Sequence, residues 1–152
     1  MKHFLYSMSF VLLLSCSAPQ ESSSAFVENE VIASVLMNAN DSKSAEEIAD
    51  FSSFYTNIVE ENEPNTYGWG FFQQGDNIML LERYMDEAAH LNHITNISPD
   101  GILEKEFGQF LEHFDIIEID IYGDVSDEFK TIINGFGFPT SYNSSIAKYS
   151  RN

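Results

Sequence analysis

Hydrophobic and polar positions along this chain recur in two periods, and the switches between them mark out the elements. Val31-Ile32-Ala33-Ser34-Val35-Leu36-Met37 is a nearly continuous apolar run rich in β-branched residues, the pattern of a strand covered on both faces. Asn40-Asp41-Ser42-Lys43 breaks it. Ser44, with Glu47 three residues on, has the spacing of a capping box, and Ile48, Phe51, Tyr55, Ile58 and Val59 follow at helical steps. Pro64 stops that helix, because proline disfavours helical backbone in the residue before it. Tyr67, Trp69 and Phe71 then alternate with Gly68, Gly70 and Phe72, and Ile78, Leu80, Glu82 and Tyr84 alternate with Met79, Leu81 and Arg83. These predict a β-hairpin. With Gln73-Gln74-Gly75-Asp76 as a four-residue loop, Trp69 would lie opposite Leu80 and Tyr67 opposite Glu82.

A helix follows the hairpin, with Ala88, Leu91 and Ala89 expected inward. Ser98-Pro99-Asp100-Gly101 marks a turn. Ile102, Phe107, Phe110, Leu111 and Phe114 predict a further amphipathic helix. Asp115 to Tyr122 alternates, with Ile117, Ile119 and Ile121 on one face, as a half-buried strand does. Ser126-Asp127-Glu128 opens a short helix through Ile133, punctuated by Gly135 and Gly137. Pro139 to Tyr149 offers a last strand with a poor pattern. The order is β-α-β-β-α-α-β-α-(β). Without the extra helix and the C-terminal extension, the core is α+β, β-α-β-β-α-β, the ferredoxin-like arrangement.

Charge and the N-terminus add an address. Seven Lys and Arg against 24 Asp and Glu give a net charge of −17. Such a surface repels phosphate backbones, which argues against nucleic acid as a partner, and it serves solubility. Lys2 and His3 precede an apolar run from Phe4 to Leu14, too short for a spanning helix of about 20 residues and matching a secretory signal. Leu13-Leu14-Ser15-Cys16 resembles the lipobox of bacterial lipoproteins, which implies cleavage before Cys16 and a lipid on its thiol. Residues 1–15 are thus expected as signal peptide, 16–25 as a Ser-rich tether and 26–152 as the folded domain. That places the protein in the bacterial cell envelope, anchored to a membrane and facing the periplasm or in the outer membrane. Cys16 is the sole cysteine, so no intramolecular disulfide can form.

The middle of the chain carries a family resemblance. Glu63-Pro64-Asn65-Thr66-Tyr67 before the hairpin, then Glu82, Tyr84, Asp86, Ala88 or Ala89, and His93, are similar to the motif of antibiotic biosynthesis monooxygenase domains. Asn65 stands where that family usually has glycine, and Asn92 where alanine usually precedes the histidine. The resemblance spans about Val31 to Tyr122 and implies a homodimeric α+β barrel, two ferredoxin-like sheets packed face to face. It also implies oxygenation of a small phenolic or quinol-like compound with O2 and without cofactor, or a non-catalytic member of the same fold. Haem degradation is disfavoured, because the related enzymes use a histidine further along the helix and none occurs between Ile94 and Glu112.

Among the candidate residues, His93 titrates near neutrality, as a base for a phenolic proton must. Its structural reading is a lock that hydrogen-bonds Glu82 or backbone. Tyr84 and Glu82 would assist the base. Trp69, Tyr67 and Phe71 would form the wall for a small aromatic molecule, or plain core. No metal site is expected, since His90 and His93 supply two ligands, short of a zinc set. Two function classes stay open: a cofactor-independent monooxygenase and a non-catalytic, dimeric, small-ligand-binding lipoprotein.

Overall fold

The computed structural model describes residues 27–150. The signal segment, Cys16 and the tether to residue 25 lie outside them. The elements run β1 (Val31–Ala39), α1 (Ala45–Asn62), β2 (Thr66–Gln74), β3 (Asn77–Tyr84), α2 (Glu87–Ile97), α3 (Glu104–His113), β4 (Phe114–Tyr122), α4 (Asp127–Asn134) and β5 (Thr140–Asn143). The sheet order is β2-β3-β1-β4-β5. The first four strands pair antiparallel, and β5 joins β4 in parallel. This is the expected ferredoxin-like sheet, widened by one strand of the C-terminal extension. No helix among the described residues is long and apolar enough to cross a membrane.

Side-chain caps open α1, α2 and α4, while α3 has none. The Ser44 hydroxyl accepts from the Glu47 N–H at 3.2 Å while the Glu47 carboxylate accepts from the Ser44 N–H at 2.8 Å, the reciprocal capping box. Asp86 caps α2 through the Ala89 N–H, and Ser126 caps α4 through the Phe129 N–H. The helices cover one sheet face. Beneath α1 and α3 lies one core cluster that includes Met37, Phe51, Tyr55, Val59 and Phe114. A second holds Val31, Ala33, Tyr84, Ala89, Phe129 and Ile133 near α2 and α4.

Four expectations are corrected. The hairpin turn is Gly75-Asp76 alone, because Gln74 pairs with Asn77, so Trp69 faces Glu82 and Phe71 faces Leu80. Gly75 takes φ 62 at the first turn position, where glycine carries no steric penalty, and Gln73 Nε2 ties the turn by donating to the Gly75 and Asn77 carbonyls. In β4 the register shifts between the partners of Leu36 and Met37, leaving Ile117 unpaired and outward; Ile116 takes the core position with Ile119 and Ile121. On α2 the buried positions are Ala89, His90, His93 and Ile97, while Ala88 is exposed. On the α3 side Ile102 and Leu111 are exposed, and Phe114 opens β4 instead of closing the helix.

Candidate functional site

The hairpin register sets the site. Trp69 and Glu82 are directly paired across β2 and β3 on the helix-covered face. Tyr84, two residues past Glu82, shares that face, and its hydroxyl donates to Glu82 Oε2 at 2.7 Å. The strand passes almost directly into α2, whose Asp86 cap orients the helix. His90 is thereby stacked flat on Tyr84, centroids 4.3 Å apart at 9°, and His93 sits one turn on. Trp69 lies against both Tyr84 and His93, at 6.4 and 5.1 Å.

His93 is held by a residue to which the sequence assigned no role. Glu63, the C-cap of α1, turns a buried carboxylate to His93 Nδ1, at 2.9 Å from Oε1 and 3.1 Å from Oε2. Asn96 Nδ2 donates to the same Oε1 at 3.1 Å. A carboxylate at a helix C-terminus faces the negative end of the helix dipole and, when buried, needs a donor. With Nδ1–H committed to Glu63, the neutral ring presents Nε2 as an acceptor. Glu82, the partner anticipated for His93, is instead the acceptor for Tyr84 and acts on the imidazole through space. The Glu63-Pro64-Asn65-Thr66 stretch was the signal in the sequence, but it names no partner.

Burial pulls the His93 pKa down; the Glu63 hydrogen bond and the Glu82 and Glu63 charges outweigh it and hold it above its ordinary value. Burial raises Glu82 despite the opposing effects of His93 and Tyr84. Burial first, then Glu82, pushes Tyr84 well up. His90 has no carboxylate partner, and burial with the His93 charge lowers it to about 3. His90 is therefore neutral at physiological pH, and His93 is the basic one of the pair.

Glu82, His90 and His93 border a cavity of about 70 Å³, mostly apolar, between the sheet and α2, α3 and the segment after α4, whereas Tyr84, fully buried, does not line it. Trp69, Glu82, His90 and His93 form its polar wall, and Tyr55 also lines it. Among the described residues two buried side-chain polar atoms make no hydrogen bond, Trp69 Nε1 and His90 Nδ1, and both residues belong to this wall. Tyr67 and Phe71 do not line the cavity. Tyr67 falls where the β2 register shifts, and Phe71 stacks on Phe114 at 5.5 Å in the other cluster. Tyr55 and His90 take the places foreseen for them. Among the described residues no three His, Cys, Asp or Glu converge as a metal site.

No family model matches this chain, and no curated protein matches it. Solved structures do. MupZ from Pseudomonas fluorescens superposes with a TM-score of 0.58 and 18% identity, over 82% of this chain and 91% of MupZ. A candidate antibiotic biosynthesis monooxygenase from Bacteroides thetaiotaomicron gives 0.47 and 19%, over 59% and 87%. At this identity, MupZ establishes a shared fold.

Proposed function

We propose that this protein is a cofactor-independent monooxygenase of the antibiotic biosynthesis monooxygenase type, acting on a small phenolic or quinol-like compound. One observation carries this reading: a buried carboxylate fixes Nδ1 of a buried histidine whose ring borders an apolar cavity. That arrangement leaves Nε2 as the base for a phenolic proton, while the carboxylate stabilises the imidazolium that forms. The phenolate then reduces O2. One oxygen atom becomes a quinone carbonyl and the other leaves as water, so a phenol supplies all the electrons and no external reductant is required. Trp69 Nε1, a donor without a partner, suits a ring oxygen that gains negative charge.

Oxygen uptake with a panel of phenols and hydroquinones tests the reading, wild type against His93→Ala. A loss of at least 100-fold is expected, within the range for a general base. Equal rates would sink it. A non-catalytic binding module is the second reading, favoured by the same unpartnered Trp69 and His90 atoms, which offer a ligand hydrogen bonds without chemistry. Ligand-induced thermal stabilisation without turnover would select it.

Two further proposals concern assembly and address. The sheet face away from the helices carries Phe72, 54% exposed, with Leu81 and Tyr122 also exposed, which fits a homodimer that packs face to face. Elution at monomer mass would remove it. Lipidation of Cys16 would anchor the domain through buried acyl chains. A Cys16→Ser variant that still incorporates palmitate would refute that anchor.

A further inference from the structure

The cavity wall comes from two sources. Sheet and α2 residues such as Ala33, Leu80 and His93 are core and held from several sides. Phe136 and Phe138 instead reach the cavity from Gly135-Phe136-Gly137-Phe138-Pro139, which joins α4 to β5 outside the ferredoxin-like core. Its ends are pinned: Phe136 N–H donates to the Ile133 carbonyl at 3.1 Å, Gly137 N–H to Asn134 at 3.1 Å, and Ile119 N–H to the Pro139 carbonyl at 2.8 Å. Gly137 itself has φ 77, a left-handed conformation natural to glycine, and a Cβ there would meet nothing within 4 Å. Phe136 borders the cavity yet is 38% exposed, so it stands at the rim.

We propose that Phe136 and Phe138 set the size limit of the ligand, admitting a single ring and excluding a fused bicyclic one. This inference rests on the reading of the cavity as a binding site and narrows its substrate class. The volume of about 70 Å³ is about half of the roughly 150 Å³ that holds one benzene ring, so a single ring already presses on the rim and a fused pair exceeds it. Phe136 is the one exposed residue of the wall; the others are buried or, as Ile94, Phe107 and Phe138 are, half-buried. Ala33 and Leu80 are each 1% exposed in the sheet, and His93 and Glu82 are held by their hydrogen bonds with Glu63 and Tyr84. Both rings are apolar and take part in neither bond, so shortening them enlarges the cavity and keeps those bonds.

Trp69 is the single tryptophan of the chain, so its indole N–H gives one NMR resonance, from an atom on the cavity wall. Full-length wild type, Phe136→Leu and the Phe136→Ala/Phe138→Ala double variant are titrated with phenol and with 1-naphthol. Phenol is expected to shift the wild-type indole signal saturably, and each protein is read by the ratio of its 1-naphthol to its phenol affinity. 1-Naphthol is expected to bind the double variant at least tenfold more tightly than wild type, with Phe136→Leu between. Phe136→Leu at the exposed rim keeps the test available if the double variant unfolds. Equal 1-naphthol affinity in wild type and variants overturns the proposal, as does failure of phenol to shift the wild-type signal. Absence of oxygen uptake alongside the size step would remove the oxygenase reading alone. Uptake without a size step would remove this inference alone.

Discussion

The two ends of this core are built differently. Beneath α1 and α3, Phe51, Tyr55, Phe110 and Phe114 pack ring on ring, with centroids between 5.0 and 6.1 Å. The chemistry here is largely that of rings, two of which, Tyr55 and Phe110, also line the cavity. Around α2 and α4, small Ala33 and Ala89 alternate with Tyr84 and Phe129, while Glu82, His90 and His93 are buried beside them. Trp69 and Ile119 touch both clusters and form the seam. Close packing and buried ionisable groups serve different ends. The first end stabilises the fold, and the second brings the buried imidazole to a cavity that residues of both ends line.

The largest effect is expected at the packed end. Phe114→Ala, at 1% exposure, should cost about 3–5 kcal/mol in denaturant unfolding. A loss under about 1 kcal/mol would erase the distinction between the ends. Glu63→Ala strips the carboxylate from a buried histidine and should cost about 3 kcal/mol at pH 6. The sign with pH follows from the raised His93 value. Stability from the pair is complete below the unfolded value of 6.5 and declines as pH rises through the higher folded value. Stability measured across that window should flatten in Glu63→Gln.

His90 acts in the opposite direction. Its folded value of about 3 lies below the unfolded 6.5, so the unfolded state binds the extra proton and stability falls as pH drops from about 6.5 towards 3. His90→Phe should remove that slope, which is at most about 1.4 kcal/mol per pH unit. An unchanged acid limb would show that His90 is not the group. The smallest effect belongs to neither end. Ser44→Ala breaks the capping box of α1 and should cost about 1 kcal/mol in thermal or denaturant unfolding, without altering ligand binding.

The element order was legible because each element carries its own period or cap. Ile48, Phe51, Tyr55 and Val59 fall on the buried face of α1 as their spacing requires. Legibility failed where one residue changes a register. The two-residue Gly75-Asp76 turn moved Trp69 from Leu80 to Glu82, and the irregularity at Ile117 exchanged it for Ile116. Pairing energy along a whole strand decides such slips, and no local pattern reports it. The inward turn of His90 was hidden for a related reason. A polar residue on a short helix declares its face only once the neighbouring sheet is in place.

By itself, the order of apolar and polar residues determined a ferredoxin-like α+β core, because strand and helix periods are properties of short segments. Only the tertiary structure decided that Glu63, 30 positions before His93, is its partner. The same holds for Phe136 and Phe138, carried from the C-terminal extension to the cavity that His93 borders. Contacts between distant residues depend on how helices settle on a sheet, and that depends on all the packing at once.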